Sequence, residues 1–166
     1  MNKNESLIAV SVHVNESLDS VANVLIEFKQ HTVIQNWKSF TLDFSVNYDN
    51  KPKVFDKIKK EITNYKTTTG LYAIFYDEKC QYIGIGRPIY KRLNAHFAAS
   101  KGKINPKFKK WLNFFANHQN ELTIYWLEYD CSANLKQGDK IRSVIENILE
   151  QQYRPAFEYN ELNENN

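Results

Sequence analysis

Two tyrosines ten residues apart, Tyr72 and Tyr82, precede a glycine-broken turn and a segment whose charged residues are all basic. The stretch is GLYAIFYDEKCQYIGIGRPIYKRLNAHF, residues 70–97. Gly70 opens the first arm, and Gly84 and Gly86 close the second, where a sharp turn or a close ligand approach needs no side chain. Arg92 and His96 are four apart, so on a helix they share a face. Phenols and an imidazole can move protons, and a guanidinium can hold an anion. Far along the chain, Glu146 belongs to a helical pattern whose core side is Ile141, Val144, Ile145, Ile148 and Leu149. At about 100° per residue it flanks that side near Leu149 and Tyr153, so its carboxylate can face a cleft beside the core.

The elements that must position these groups follow from periodicity. Residues 6–14 and 39–46 alternate as strands, while 18–31 and 53–62 have helical spacing, the latter with Val54, Ile58 and Ile62 on one side. Residues 70–77 and 80–85 read as two strands of a hairpin around Asp77, Glu78 and Lys79. Pro88 suits the first position of a helix running to about Ala99. A helix over 107–118 turns Trp111, Phe114 and Phe115 inward. A strand at 121–130 and a helix from about 138 to 153, stopped by Pro155, complete the order. The first two strands are joined too tightly for a crossover, so the predicted fold is α+β, a small antiparallel three-stranded sheet flanked by helices. A boundary at 66–69 would leave residues 1–65 as a β-α-β-α extension, packed on the remainder or forming a lobe of its own, and 66–166 as the domain that carries the site.

Composition narrows the class. The chain has 166 residues, 42% hydrophobic and 14% aromatic, with 5 glycines and 4 prolines: a real core and no long flexible linker. No apolar run approaches the roughly 18–20 residues of a membrane span. The N-terminus lacks the pattern of a secretory signal. Cys80 and Cys131 have no metal-like spacing and read as reduced thiols, which fits a cytoplasmic protein. The net charge of +3 is unevenly spread. Residues 86–110 hold Arg87, Lys91, Arg92, Lys101, Lys103, Lys107, Lys109 and Lys110 and no acid, whereas residues 1–65 balance eight lysines with eight acids. A basic window directly after the tyrosine pair suits a polyanion such as DNA.

Taken singly, these residues have plainer readings. The tyrosines would be packing aromatics, Arg92 a surface charge, His96 an ordinary helix residue, and Glu146 a partner for Arg142 one turn earlier. Their joint spacing decides otherwise. Gly70-Leu71-Tyr72 with Tyr82-Ile83-Gly84 resembles the name motif of the GIY-YIG nuclease superfamily. In that family an arginine follows the last glycine of the motif by eight residues, matched by Arg92. Many members place a histidine or tyrosine four later, matched by His96. A metal-binding glutamate stands nine residues before a proline, matched by Glu146 and Pro155. The segment ENILEQQYRP is similar to that of bacterial excision-repair nucleases, and the likeness covers about 70–158. Glu158 stands where the family commonly has a bracing asparagine. Residues 1–65 carry no such likeness.

The resemblance implies a Mg²⁺-dependent DNA endonuclease (Mn²⁺ serving equally) with a single-metal site. Glu146 would be the metal ligand, since one carboxylate suits an ion that keeps most of its waters. Arg92 would fork onto the scissile phosphate. Tyr72 or His96 would take the proton from water: a phenol of reference pKa near 10 needs a cation to serve, and an imidazole titrates in the right range. Tyr82 would hydrogen-bond the water or the phosphate. Arg87, Lys91, Lys101, Lys103, Lys107, Lys109 and Lys110 would grip the backbone. The alternative is a non-cleaving nucleic-acid-binding module on the same scaffold, motivated by Glu158. A weaker third reading is a protein-interaction domain whose basic strip meets an acidic partner.

Overall fold

The structure, a computed structural model, describes residues 32–102, 121–129 and 135–156. The predicted strand 6–14 and helices 18–31 and 107–118 lie outside the described residues, as do Cys131, Glu158 and four of the basic residues, Lys103, Lys107, Lys109 and Lys110. Within them run β1 (Lys38–Asp43), α1 (Lys51–Glu61), β2 (Gly70–Tyr76), β3 (Lys79–Gly86), α2 (Ile89–Ser100), β4 (Glu121–Glu128) and α3 (Leu135–Tyr153). The strands form one sheet in the order β1-β4-β2-β3, antiparallel throughout.

The α+β class and the antiparallel sheet hold. The sheet has four strands, however, where the sequence suggested three. The segment read as the second strand of an N-terminal extension pairs along β4, from Lys38 opposite Trp126 to Asp43 opposite Glu121. It also stops earlier than alternation predicts. The Asp43 carboxylate accepts the Ser45 backbone N–H at 2.8 Å, a local turn that ends the ladder. Residues 38–43 therefore belong to the same sheet as the strands of 66–166.

The two faces of the sheet have different covers. On one, Phe40, Leu42, Tyr72, Ile74, Tyr82, Leu122, Ile124 and Trp126 meet Val54 and Ile58 of α1 and Ile89, Leu93 and Phe97 of α2. Val54, Ile58 and Ile62 are buried together, as their spacing predicts. On the other face, Leu71, Ala73, Phe75, Cys80 and Ile83 meet Ile145 and Leu149 of α3. Burial pushes the Cys80 thiol up to about 12, which makes it an inert core residue.

Two contacts fix α2 over the sheet. The Ile89 N–H donates to the Thr68 carbonyl at 3.0 Å, which ties the helix start to the residue two before β2. At its other end the Lys101 ammonium donates to the Phe44 carbonyl at 2.5 Å, just beyond β1. Gly70 lets β2 lie tight against β4, for an added Cβ would sit 1.9 Å from the Leu127 carbonyl oxygen.

Candidate active site

The hairpin alone would set the two tyrosines on opposite faces. Asp77 and Glu78 form its turn, both left-handed at φ 48° and 61°, as a two-residue type I′ turn requires. That turn pairs Tyr76 with Lys79 and Phe75 with Cys80. Continued regularly, Tyr82 would oppose Ala73, whose side chain lies on the α3 face. Instead the register shifts between Ile74 and Phe75, and Tyr82 opposes Ile74. Gln81 is the extra residue of this β-bulge, and it returns Tyr82 to the face of Tyr72. Tyr72 then pairs with Gly84. A Cβ at Gly84 would lie 2.9 Å from each of the two phenol oxygens, so the missing side chain is the space into which both hydroxyls point.

Helix α2 adds the remaining groups. The Tyr72 hydroxyl and His96 Nε2 are hydrogen-bonded at 2.6 Å. The rings of Tyr72, Tyr82 and His96 are mutually adjacent, with centroids 5.2–5.9 Å apart. Burial raises Tyr72 well above its ordinary value of 10.0, and Tyr82 adds to this while the Arg92 charge opposes it. Burial likewise raises Tyr82, again opposed by Arg92. Burial pulls the Arg92 guanidinium down, but its charge and hydrogen-bond interactions with both phenols outweigh that, and the net shift is upward.

Glu146 approaches from the other side of the sheet. Its helix, α3, packs beneath the α3 face, yet β3 is the outermost strand at that end. The half-buried Glu146 carboxylate acts around this edge, and its charge is among the causes that raise Tyr82. Arg142, considered above as its partner, is turned away: it donates to the Tyr129 carbonyl and to Asp139. Tyr72, Tyr82, Arg92 and His96 thus converge above the sheet, with Glu146 at the open edge.

The family model of the GIY-YIG catalytic domain matches residues 68–160, more than half of the chain. The chain belongs to the GIY-YIG family. No curated protein and no solved structure matches it. The GIY-YIG match begins just before β2, so β1 and α1 lie outside it. A nuclease-type function and a nucleic-acid substrate follow from GIY-YIG membership.

GIY-YIG nucleases generally use divalent metal ions. Among the described residues no three His, Cys, Asp or Glu side chains gather into a ready-made cage. One half-buried carboxylate whose charge reaches the Tyr82 phenol supplies hard oxygen only, which fits an ion that keeps most of its waters and takes a substrate oxygen. It does not suit a soft or tightly caged metal.

His96 corrects the sequence reading of this GIY-YIG site. Burial, and after it the Arg92 charge, lowers its pKa from 6.5 to about 3. A histidine titrating near neutrality was the expectation, but the fold keeps this one neutral. Between those two values the unfolded chain binds a proton that the folded chain does not. Stability from this residue is therefore complete above pH 6.5 and is lost as the pH falls toward 3. The expected slope is roughly 1 kcal/mol per pH unit. Denaturant unfolding of wild type and His96→Gln at stepped pH measures it, and the variant is expected to flatten the curve.

The basic residues are not equivalent. Lys91 is exposed on α2. The Lys101 ammonium is engaged with the Phe44 carbonyl, and Arg87 pairs with Asp139 at 2.9 Å. Sequence reasoning missed Gln81 and Asp139. The signal for Gln81 was parity: a two-residue turn and two tyrosines on one face, ten residues apart, require one extra residue.

Proposed function

We propose that the chain is a Mg²⁺-dependent endonuclease that hydrolyses phosphodiester bonds in DNA at a single-metal site. One observation supports this above the others: two phenols, a guanidinium and an imidazole meet over Gly84, with a carboxylate at the adjoining sheet edge. Glu146 is the residue that would hold the ion. Bound there, the ion would stabilise charge on the phosphate and lower the pKa of a bound water.

The protein's own groups divide the remaining work. Arg92, exposed and strongly cationic, holds a non-bridging phosphate oxygen and stabilises the charge that develops on phosphorus. Tyr72 is fully buried, whereas Tyr82 keeps 8% of its surface accessible, so Tyr82 is the phenol that first meets water or phosphate. Tyr72 is the better proton acceptor of the two sequence candidates, taking the water's proton through its hydrogen bond with the Tyr82 hydroxyl, because His96 cannot hold a proton near neutrality. Its phenolate form depends on cationic charge to offset burial, and Arg92 supplies part of it. Neutral His96 accepts from the Tyr72 hydroxyl in one tautomer and donates to the phenolate in the other, so it orients Tyr72 in both states. Lys91 and the lysines of 103–110 would extend the contact to flanking phosphates.

Supercoiled plasmid incubated with purified protein tests the reading. Nicking or linearisation with Mg²⁺ or Mn²⁺, abolished by EDTA, is the expected result. Glu158, at the position of the bracing asparagine, favours a second reading, a module that binds nucleic acid without cutting it. Retention of DNA with no cleavage under any divalent ion would establish that reading instead.

A further inference from the structure

We propose that Asp139 is a positioning residue that clamps the turn between β3 and α2 to α3, and so fixes the rotation at which α3 presents Glu146. This rests on the nuclease reading above. A single carboxylate oxygen, Asp139 Oδ1, receives two guanidinium groups. Arg87 Nη2 approaches it at 2.9 Å from the turn, and Arg142 Nη2 bonds to it from within α3. The other arm of Arg142 donates to the Tyr129 carbonyl at 2.7 Å, just past β4. Arg142 is 2% exposed, and its Nε is buried with no partner. The clamp thus joins three points: the β3–α2 turn, the exit of β4, and the first half of α3.

The geometry connects this clamp to the site. Asp139 and Glu146 are seven residues apart, about two helical turns, so they lie on one stripe of α3. Rotating α3 by one residue would swing that whole stripe by about 100°. Holding Asp139 toward Arg87 therefore holds Glu146 toward the edge of β3. On the other side of the clamp, Arg87 precedes Arg92 by five residues, so one tether sets both the ligand helix and the phosphate-holding helix. An exposed ion pair adds little stability, and the Arg87 side chain is 52% exposed. Placement is what the Arg87 arm contributes. The Arg142 arm is different, because Asp139 is the counter-charge of a buried guanidinium.

Arg87→Ala in the full chain is the decisive variant, since it leaves the buried Arg142–Asp139 pair intact. Mn²⁺ affinity by electron paramagnetic resonance is expected to weaken about tenfold and kcat to fall about tenfold, with KM for DNA and the denaturation midpoint nearly unchanged. Arg87→Lys is expected to restore part of both losses. In a Glu146→Gln background, Arg87→Ala is expected to cost nothing further, because the group it positions is gone. A raised KM with wild-type Mn²⁺ affinity and kcat would make Arg87 a DNA-holding residue and overturn the proposal. Asp139→Asn that lowers only the denaturation midpoint, with Mn²⁺ affinity intact, would overturn it as well. Failure of the nuclease reading looks different: the wild-type protein itself would cut no plasmid with any divalent ion, and failure of the single-metal site would leave Glu146→Gln binding Mn²⁺ like wild type.

Discussion

Glu146→Gln lowers plasmid cleavage at least about a hundredfold and leaves the fold intact: that is the result expected if one carboxylate anchors the ion. The amide is nearly the same size, and Glu146 is half-buried on the flank of α3. Ile145 and Leu149, both fully buried, hold the helix to the sheet, so the substitution opens no cavity. What changes is a unit of negative charge at the edge of β3. A second signal accompanies the loss of rate. Burial is the main reason the Tyr82 phenol is raised, and the Glu146 charge adds to it, so the amide lets Tyr82 ionise at lower pH. Ultraviolet titration reads this without any substrate. A variant that cleaves at the wild-type rate would end the single-metal mechanism. Loss of cleavage together with loss of the circular dichroism spectrum would point to misfolding, and Glu146→Ala then provides a second trial at the same position.

Much of this site was legible because its residues are spaced by helix and strand geometry. The i, i+4 pair Arg92 and His96 had to share a face, and the apolar stripe of α3 had to leave Glu146 at its flank. Gly84 likewise marked a sharp turn or a close approach, and the structure sets it opposite Tyr72. What stayed hidden depended on contacts between elements distant in sequence. Periodicity described the strand at 38–43 as a strand, yet nothing local said that it would pair with β4, some eighty residues later. The acidity of His96 was invisible for the same reason: its reference pKa is a property of the residue, while its depression comes from the core that closes over it. Arg87 read as a hand for phosphate because its partner, Asp139, lies fifty-two residues away. Sequence spacing thus predicted which side chains meet on one element, and the sheet decided which charges remain free for substrate.

Arg92→Ala is expected to have an effect as large, for a reason that does not involve the metal ligand. Arg92 interacts with both phenols, by charge and by hydrogen bonding, and opposes the burial that raises them. Removing it takes away the fork that would hold the phosphate and at the same time pushes Tyr72 further from ionisation. A loss of at least about a hundredfold corresponds to about 3 kcal/mol of transition-state stabilisation, within the range of a single preorganised charge. The two roles separate in Arg92→Lys. An ammonium keeps the charge that favours phenolate and gives up the planar two-point grip on phosphate. The lysine variant is therefore expected to keep the alkaline limb of the pH–rate profile near its wild-type position with a lowered plateau. The alanine variant lowers the plateau and also moves that limb to higher pH. Cleavage rates across the alkaline range distinguish them. If alanine and lysine gave the same profile, the positive field of Arg92 would have no part in ionising the phenols, and its contribution would reduce to gripping the phosphate.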